Sequence, residues 1–190
     1  VKRVFAIIRA IINLSIQEYG LSCKNAFAKT YIPDLEDSIK RQPIPIDIIR
    51  DIQKECMKID DPYRWLIALI SDTGVRLSEA LGLKISDIKL NEEIPYLNIT
   101  PNSARRLKTK SSQRQIPLVG SSLWAAKQIL MNVKGEFAFP HYIVNDYCYT
   151  NSASAALNKW LRPRTADRCV IHSLRHSTVS YTHLRAHETR

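Results

Sequence analysis

Two arginine-bearing stretches, far apart in the chain, carry the chemistry that this sequence could perform: Thr73-Gly74-Val75-Arg76-Leu77-Ser78-Glu79 and His172-Ser173-Leu174-Arg175-His176. A guanidinium is a planar fork of donors that can hold two phosphate oxygens at once. A histidine can exchange a proton near neutral pH. Two arginines and a histidine aimed at one phosphodiester would neutralise its non-bridging oxygens and move protons around it without a metal. Arg76 follows the helix-breaking Gly74 and opens a short helical pattern, which sets its side chain at a helix start, where anions are favoured. It can equally pair with Glu79 three residues on. His172 and Arg175 are three residues apart and share one face of the first turn if a helix begins at Ser173. Leu174 then anchors that turn in the core, and His176 reads as a brace from behind.

These boxes need a frame, and the pattern around them predicts one. Residues 2–19 place Val4, Ile7, Ile8, Ile11, Ile12 and Ile16 at helical spacing, ending near Gly20. Residues 21–45 lose that periodicity and carry Pro33, Pro43 and Pro45, so they read as a strap, with a domain boundary near residue 40. Further helices are predicted over 47–57, over 63–70, which is apolar nearly all round, and over 76–81 with Gly82 in a C-cap place. Residues 96–100 and 114–118 read as strands of a small antiparallel sheet. The turn between them holds the basic run Arg105-Arg106-Leu107-Lys108-Thr109-Lys110. Ser121 or Ser122 is expected to cap a helix running to Gly135, and Asn151 one ending at Leu161. The fold class expected is α+β, mostly helical, with one small sheet.

The 190 residues allow one domain and part of another, and 45% hydrophobic residues suffice for a core. The 28 Lys+Arg against 18 Asp+Glu give +10, which favours a polyanionic partner such as nucleic acid. Cys23, Cys56, Cys148 and Cys169 form no C-x-x-C pair, so neither a zinc ribbon nor a disulfide framework is indicated. No stretch is long enough to span a membrane. Four reduced thiols and a cytoplasmic location are expected.

The pattern Thr-Gly-x-Arg-x-x-Glu followed by Leu-x-x-x-Asp is met by Thr73, Gly74, Arg76, Glu79, Leu83 and Asp87. With the His-x-Leu-Arg-His string, it resembles the arginine boxes of the tyrosine recombinases, the phage-integrase family, over residues 1–178. The resemblance implies that Arg76 and Arg175 are the two catalytic arginines and that His172 handles a proton or contacts the phosphate. The run Lys108-Thr109-Lys110 ahead of Arg114-Gln115-Ile116-Pro117-Leu118 is similar to the family's β-hairpin and implies Lys108 as the catalytic lysine, with Lys110 as the alternative. A solvated basic turn touching only DNA backbone is the plainer reading of that run. Arg105, Arg106 and Lys110 are expected on the DNA-contacting face.

The resemblance further implies a catalytic domain over 41–178, preceded in 1–40 by the tail of a helical core-binding module. It implies metal-free and cofactor-free transesterification on double-stranded DNA through a 3′-phosphotyrosine, by a tetramer of the full-length protein on paired sites. A type IB topoisomerase-like enzyme and a non-catalytic DNA-binding protein of the same fold are the alternatives. The family's nucleophile follows a further His or Trp box, which is expected beyond Arg190. Residues 179–189 can be encoded by the end of a transposon-based sequencing adapter, so 179–190 are expected to be read-through. His183 and His187 are accordingly not read as a metal site.

Overall fold

The computed structural model describes residues 2–32, 43–107, 109–166 and 169–188, and for 110, 179 and 181–188 the backbone alone. The chain divides into two compact units, Val1–Lys40 and Arg41–Arg190. Residues 33–42 of the expected strap, Pro33 among them, lie outside the described residues.

In the first unit, α1 (Lys2–Glu18) buries none of its residues. Val4, Ile7, Ile11 and Leu14 stand exposed at helical spacing along it. Gly20, at φ 58°, ends the helix in a conformation that costs glycine little. The following segment folds back: Arg9 Nε and Nη2 donate to the carbonyls of Phe27 and Thr30 at 2.6 and 2.7 Å, and Phe5 meets Phe27 ring to ring.

The second unit is built around α3 (Pro62–Thr73), whose residues from Trp65 to Ser71 are all buried. Asp61 caps it by accepting from the Arg64 N–H, and Pro62 follows in the first turn, where its missing N–H costs nothing. A helix apolar on every side needs partners on every side. It finds them in α2 (Ile46–Ile59), α5 (Gly120–Asn132) and α7 (Ile171–Glu188). Between α3 and α5 come the short α4 (Leu77–Leu81) and a three-stranded antiparallel sheet of β1 (Ile88–Lys89), β2 (Tyr96–Ile99) and β3 (Arg114–Pro117). Leu97 pairs with both Ile88 and Ile116, so its side chain is buried at the centre of the sheet. A hairpin of β4 (Ile143–Val144) and β5 (Tyr147–Cys148) leads into α6 (Thr150–Leu161), which packs on α4 and α7.

The α+β class holds, and the predicted helices and two strands are present. Two local expectations are corrected. Ser121 and Ser122 lie inside the first turn of α5, and the carboxylate of Asp72 does the outside capping, accepting from the Ser122 N–H at 2.9 Å and the Ser121 hydroxyl at 2.7 Å. Asn151 likewise sits inside α6 rather than at its cap. Gly82 does end α4, yet at φ −82°, which any residue tolerates. It is required because a Cβ there would stand 2.7 Å from the Cβ of Arg105.

Candidate active site

The joint after α3 sets up the site. Gly74 takes the left-handed conformation, φ +60°, and donates its N–H to the Ile70 carbonyl at 2.9 Å. The chain then turns through buried Val75 into Arg76, the N-cap of α4. Glu79, one turn on, reaches back: its Oε2 accepts from the Arg76 N–H at 3.1 Å and its Oε1 from Arg76 Nη1 at 2.6 Å. The pairing of Arg76 with Glu79 that the spacing permitted is therefore real. Its setting is not that of a surface pair, because the Glu79 side chain is only 2% exposed while that of Arg76 is 34% exposed.

The same carboxylate holds a second arginine. Arg114, at the start of β3, donates from Nη2 to Glu79 Oε2 at 2.8 Å and from Nη1 to the Ser112 carbonyl at 2.8 Å. Burial raises the affinity of the Glu79 carboxyl for its proton, but the hydrogen bonds from Arg114 and Arg76 outweigh burial and hold it below the usual carboxylate range.

The second box meets the first at the Gly74 joint. Arg175 Nη1 donates to the Gly74 carbonyl. One turn on, Thr178 Oγ1 donates to the Ser71 carbonyl at 2.9 Å, and the Ser177 hydroxyl accepts from the Ile44 N–H at 2.7 Å. Leu174 and Ser173 are fully buried, so this turn of α7 is anchored as expected. Burial, then the charges of Arg76 and Arg114, push the Arg175 guanidinium below the usual arginine range. Arg76 and Arg114 thus share one buried carboxylate, and Arg175, held at the Gly74 carbonyl, feels the charges of both arginines and of Glu79; together the four groups carry three minus one, or +2. An anion arriving there would relieve the repulsion among them.

His172 is exposed in the first turn of α7, and its ring meets that of His176 edge-on with centroids 4.8 Å apart. His176 is exposed as well, so it flanks His172 instead of bracing the segment from behind.

The basic run between β2 and β3 divides. Arg106 is exposed. Lys108 lies outside the described residues, and Lys110 opens a short helical turn, Lys110–Ser112, that leads into β3. Arg105 corrects the expectation of a DNA contact. Its side chain is 0% exposed and bonded to Asp87 Oδ2 at 2.8 Å and to the Thr100 carbonyl at 2.7 Å. A buried guanidinium is retained only where it is paired and hydrogen-bonded. Asp87 of the Leu-x-x-x-Asp pattern is that partner, which was visible as a motif but not as a pairing.

Residues 46–188 match the model of the phage integrase family. The chain belongs to that family. It is 27% identical to the transposase of transposon Tn916 from Enterococcus faecalis, over 64% of this chain and 36% of that protein. It is 25% identical to a probable integrase/recombinase of Acholeplasma phage L2, over 62% of this chain and 38% of that protein. The chain thus spans a little over a third of the curated relatives it matches.

Among solved structures, its fold is similar to that of the Tn1549 transposon integrase in complex with circular intermediate DNA, with a TM-score of 0.67 at 17% identity, covering 93% of this chain and 64% of that one. XerA recombinase gives 0.58 at 17% identity over 92% of this chain and 59% of the other. In this phage-integrase fold, Arg114 is the member of the cluster that sequence reasoning missed. Its signal in the sequence was only a charged residue at the start of a predicted strand beside the basic turn; the carboxylate it pairs with is set by the fold.

Proposed function

We propose that this chain carries the phosphate-handling residues of a site-specific DNA recombinase or integrase acting on double-stranded DNA. The observation that supports it best is the joint at Gly74: its carbonyl binds Arg175 while its chain delivers Arg76, so the two arginines share one anchorage and one electrostatic neighbourhood. Family membership and the DNA complex of the similar Tn1549 integrase favour the same reading.

In this reading, Arg76 and Arg175 hold the non-bridging oxygens of a phosphodiester and stabilise the charge that develops on them. Losing one such contact typically costs about 3 to 4 kcal/mol of transition-state stabilisation. A tyrosine hydroxyl attacks phosphorus, forming the phosphotyrosine ester as the bond to the 5′ oxygen breaks. Lys108, or else Lys110, gives that leaving oxygen its proton, and His172 contacts the phosphate or takes the tyrosine's proton. General-acid help of this kind is worth about 10² to 10⁴ in rate. The reverse attack by a 5′ hydroxyl reseals the strand, with protomers paired across two sites. Neither a metal nor a cofactor enters these steps.

A nicked duplex made from the end of the element that encodes the chain tests the proposal. A protein that carries this chain through to the family's tyrosine should become covalently attached to it in the presence of EDTA. Arg76→Ala or Arg175→Ala should each reduce trapping by roughly a hundredfold or more. Trapping that survives both substitutions would remove the two arginines from the chemistry.

A further inference from the structure

Arg114 has no role in the steps above, yet it takes half of the one buried carboxylate in the site. Glu79 Oε1 is occupied by Arg76 Nη1, while Oε2 receives Arg114 Nη2 and the Arg76 main chain. Glu79 orients Arg76 through two contacts and thereby creates a problem. A buried carboxylate at 2.6 Å would by itself cancel the charge of the arginine that must hold an anion.

Charge counting shows what Arg114 changes. Arg76, Arg175 and Glu79 alone sum to +1, which a phosphodiester brings to zero. With Arg114 the cluster carries +2 and remains at +1 with the phosphodiester bound. We propose that Arg114 is a positioning residue for the recombination chemistry, neutralising Glu79 so that this carboxylate can orient Arg76 without cancelling its pull on the phosphate. This inference rests on the phosphodiester reading of the site.

Two further observations fit. Arg114 is itself fixed, by Ser112 at 2.8 Å on one side and Glu79 on the other, so its guanidinium is committed to the carboxylate. Its charge is also felt at Arg175, which places it within the same field as the second arginine.

The test uses the 190-residue chain with ¹⁵N-labelled arginine side chains, titrated with inorganic phosphate and followed by NMR. In the wild type, the Arg76 and Arg175 signals should move together. Arg114→Gln should weaken the response of Arg76 about tenfold. Arg114→Lys keeps the charge and should stay within about threefold of wild type. Glu79→Gln combined with Arg114→Gln removes both charges and should recover most of the loss, since the carboxylate is no longer there to be neutralised.

Wild-type signals that ignore phosphate would overturn the phosphodiester reading and this inference with it. A wild-type response that Arg114→Gln leaves intact would overturn the role of Arg114 alone. So would a double variant as weak as Arg114→Gln, because Arg114 would then act only by holding shape. If Arg114→Gln does not fold, a tenfold loss in Arg114→Lys overturns the role, and a response near wild type supports it.

Discussion

Arg175 Nη1 donates to the carbonyl of Gly74, so the second arginine box is fastened to the residue that turns the chain into the first. That carbonyl is available because Gly74 is left-handed, the conformation that closes α3. One backbone torsion therefore serves helix termination and the meeting of the two boxes.

Gly74→Ala tests the joint. A side chain at φ +60° costs roughly 1 to 2 kcal/mol, and the new Cβ would stand 3.3 Å from the Cβ of Thr178 on α7. The variant should lose about that much stability in urea melts. It should also weaken phosphate binding, since Thr178 can yield only by shifting the helix that carries Arg175. Full stability with unchanged binding would show that the joint tolerates a Cβ.

Glu79 predicts the acid side of the stability profile. Its carboxyl is held below the usual range, so the stabilisation it provides is fully present above the unfolded carboxyl pKa of about 4.3 and is lost as pH falls through the lower folded value. Glu79→Gln should be less stable at about pH 7, by roughly 3 to 5 kcal/mol if it leaves the arginines uncompensated. Its stability should then fall less steeply than that of the wild type on acidification. Parallel curves in chemical denaturation at a series of pH values would show that Glu79 does not titrate with folding.

Much of this arrangement was legible in the sequence, and the illegible parts have physical reasons. Helices with long apolar faces, such as α2 and α3, announce themselves by period. β1, β4 and β5 have two residues each, too few to show alternation, and the hairpin of β4 and β5 turns on Asn145 and Asp146 at φ 49° and 59° without a glycine to mark it. Asp72 caps α5 from another helix, so no local pattern at Ser121 could reveal it. Within the site, the motif letters pointed to Arg76, Glu79 and Arg175. Arg114 and Arg105 could not be sorted by type, because both are arginines near one basic turn, and only burial assigns one to Glu79 and the other to Asp87.

That sorting gives a paired prediction for Arg105 and Arg106. Arg105→Ala leaves Asp87 buried without its guanidinium and should cost about 3 to 5 kcal/mol of stability. Arg106→Ala, at an exposed position, should leave stability within about 0.5 kcal/mol. It should instead reduce the slope of log affinity for duplex DNA against log salt by about one contact. Equal effects of the two substitutions on stability would contradict the burial of Arg105.

Tyr181 provides the sharpest test of the nucleophile. It lies on α7 with Arg175, six residues later, which on an α-helix is about 9 Å of rise and about 240° of rotation. In the proposed chemistry, the nucleophile must reach the phosphorus held by Arg175, within about 3 to 3.5 Å in a reactive arrangement. Tyr181 is therefore expected not to serve, and the 190-residue chain should give no covalent complex with nicked DNA, with or without Tyr181→Phe. A protein that carries this chain through to the family's tyrosine should give one that Tyr181→Phe leaves in place and Arg175→Ala abolishes. Covalent trapping by the 190-residue chain that disappears on Tyr181→Phe would make Tyr181 the attacking residue, and would require α7 to break between Arg175 and Tyr181 when DNA binds.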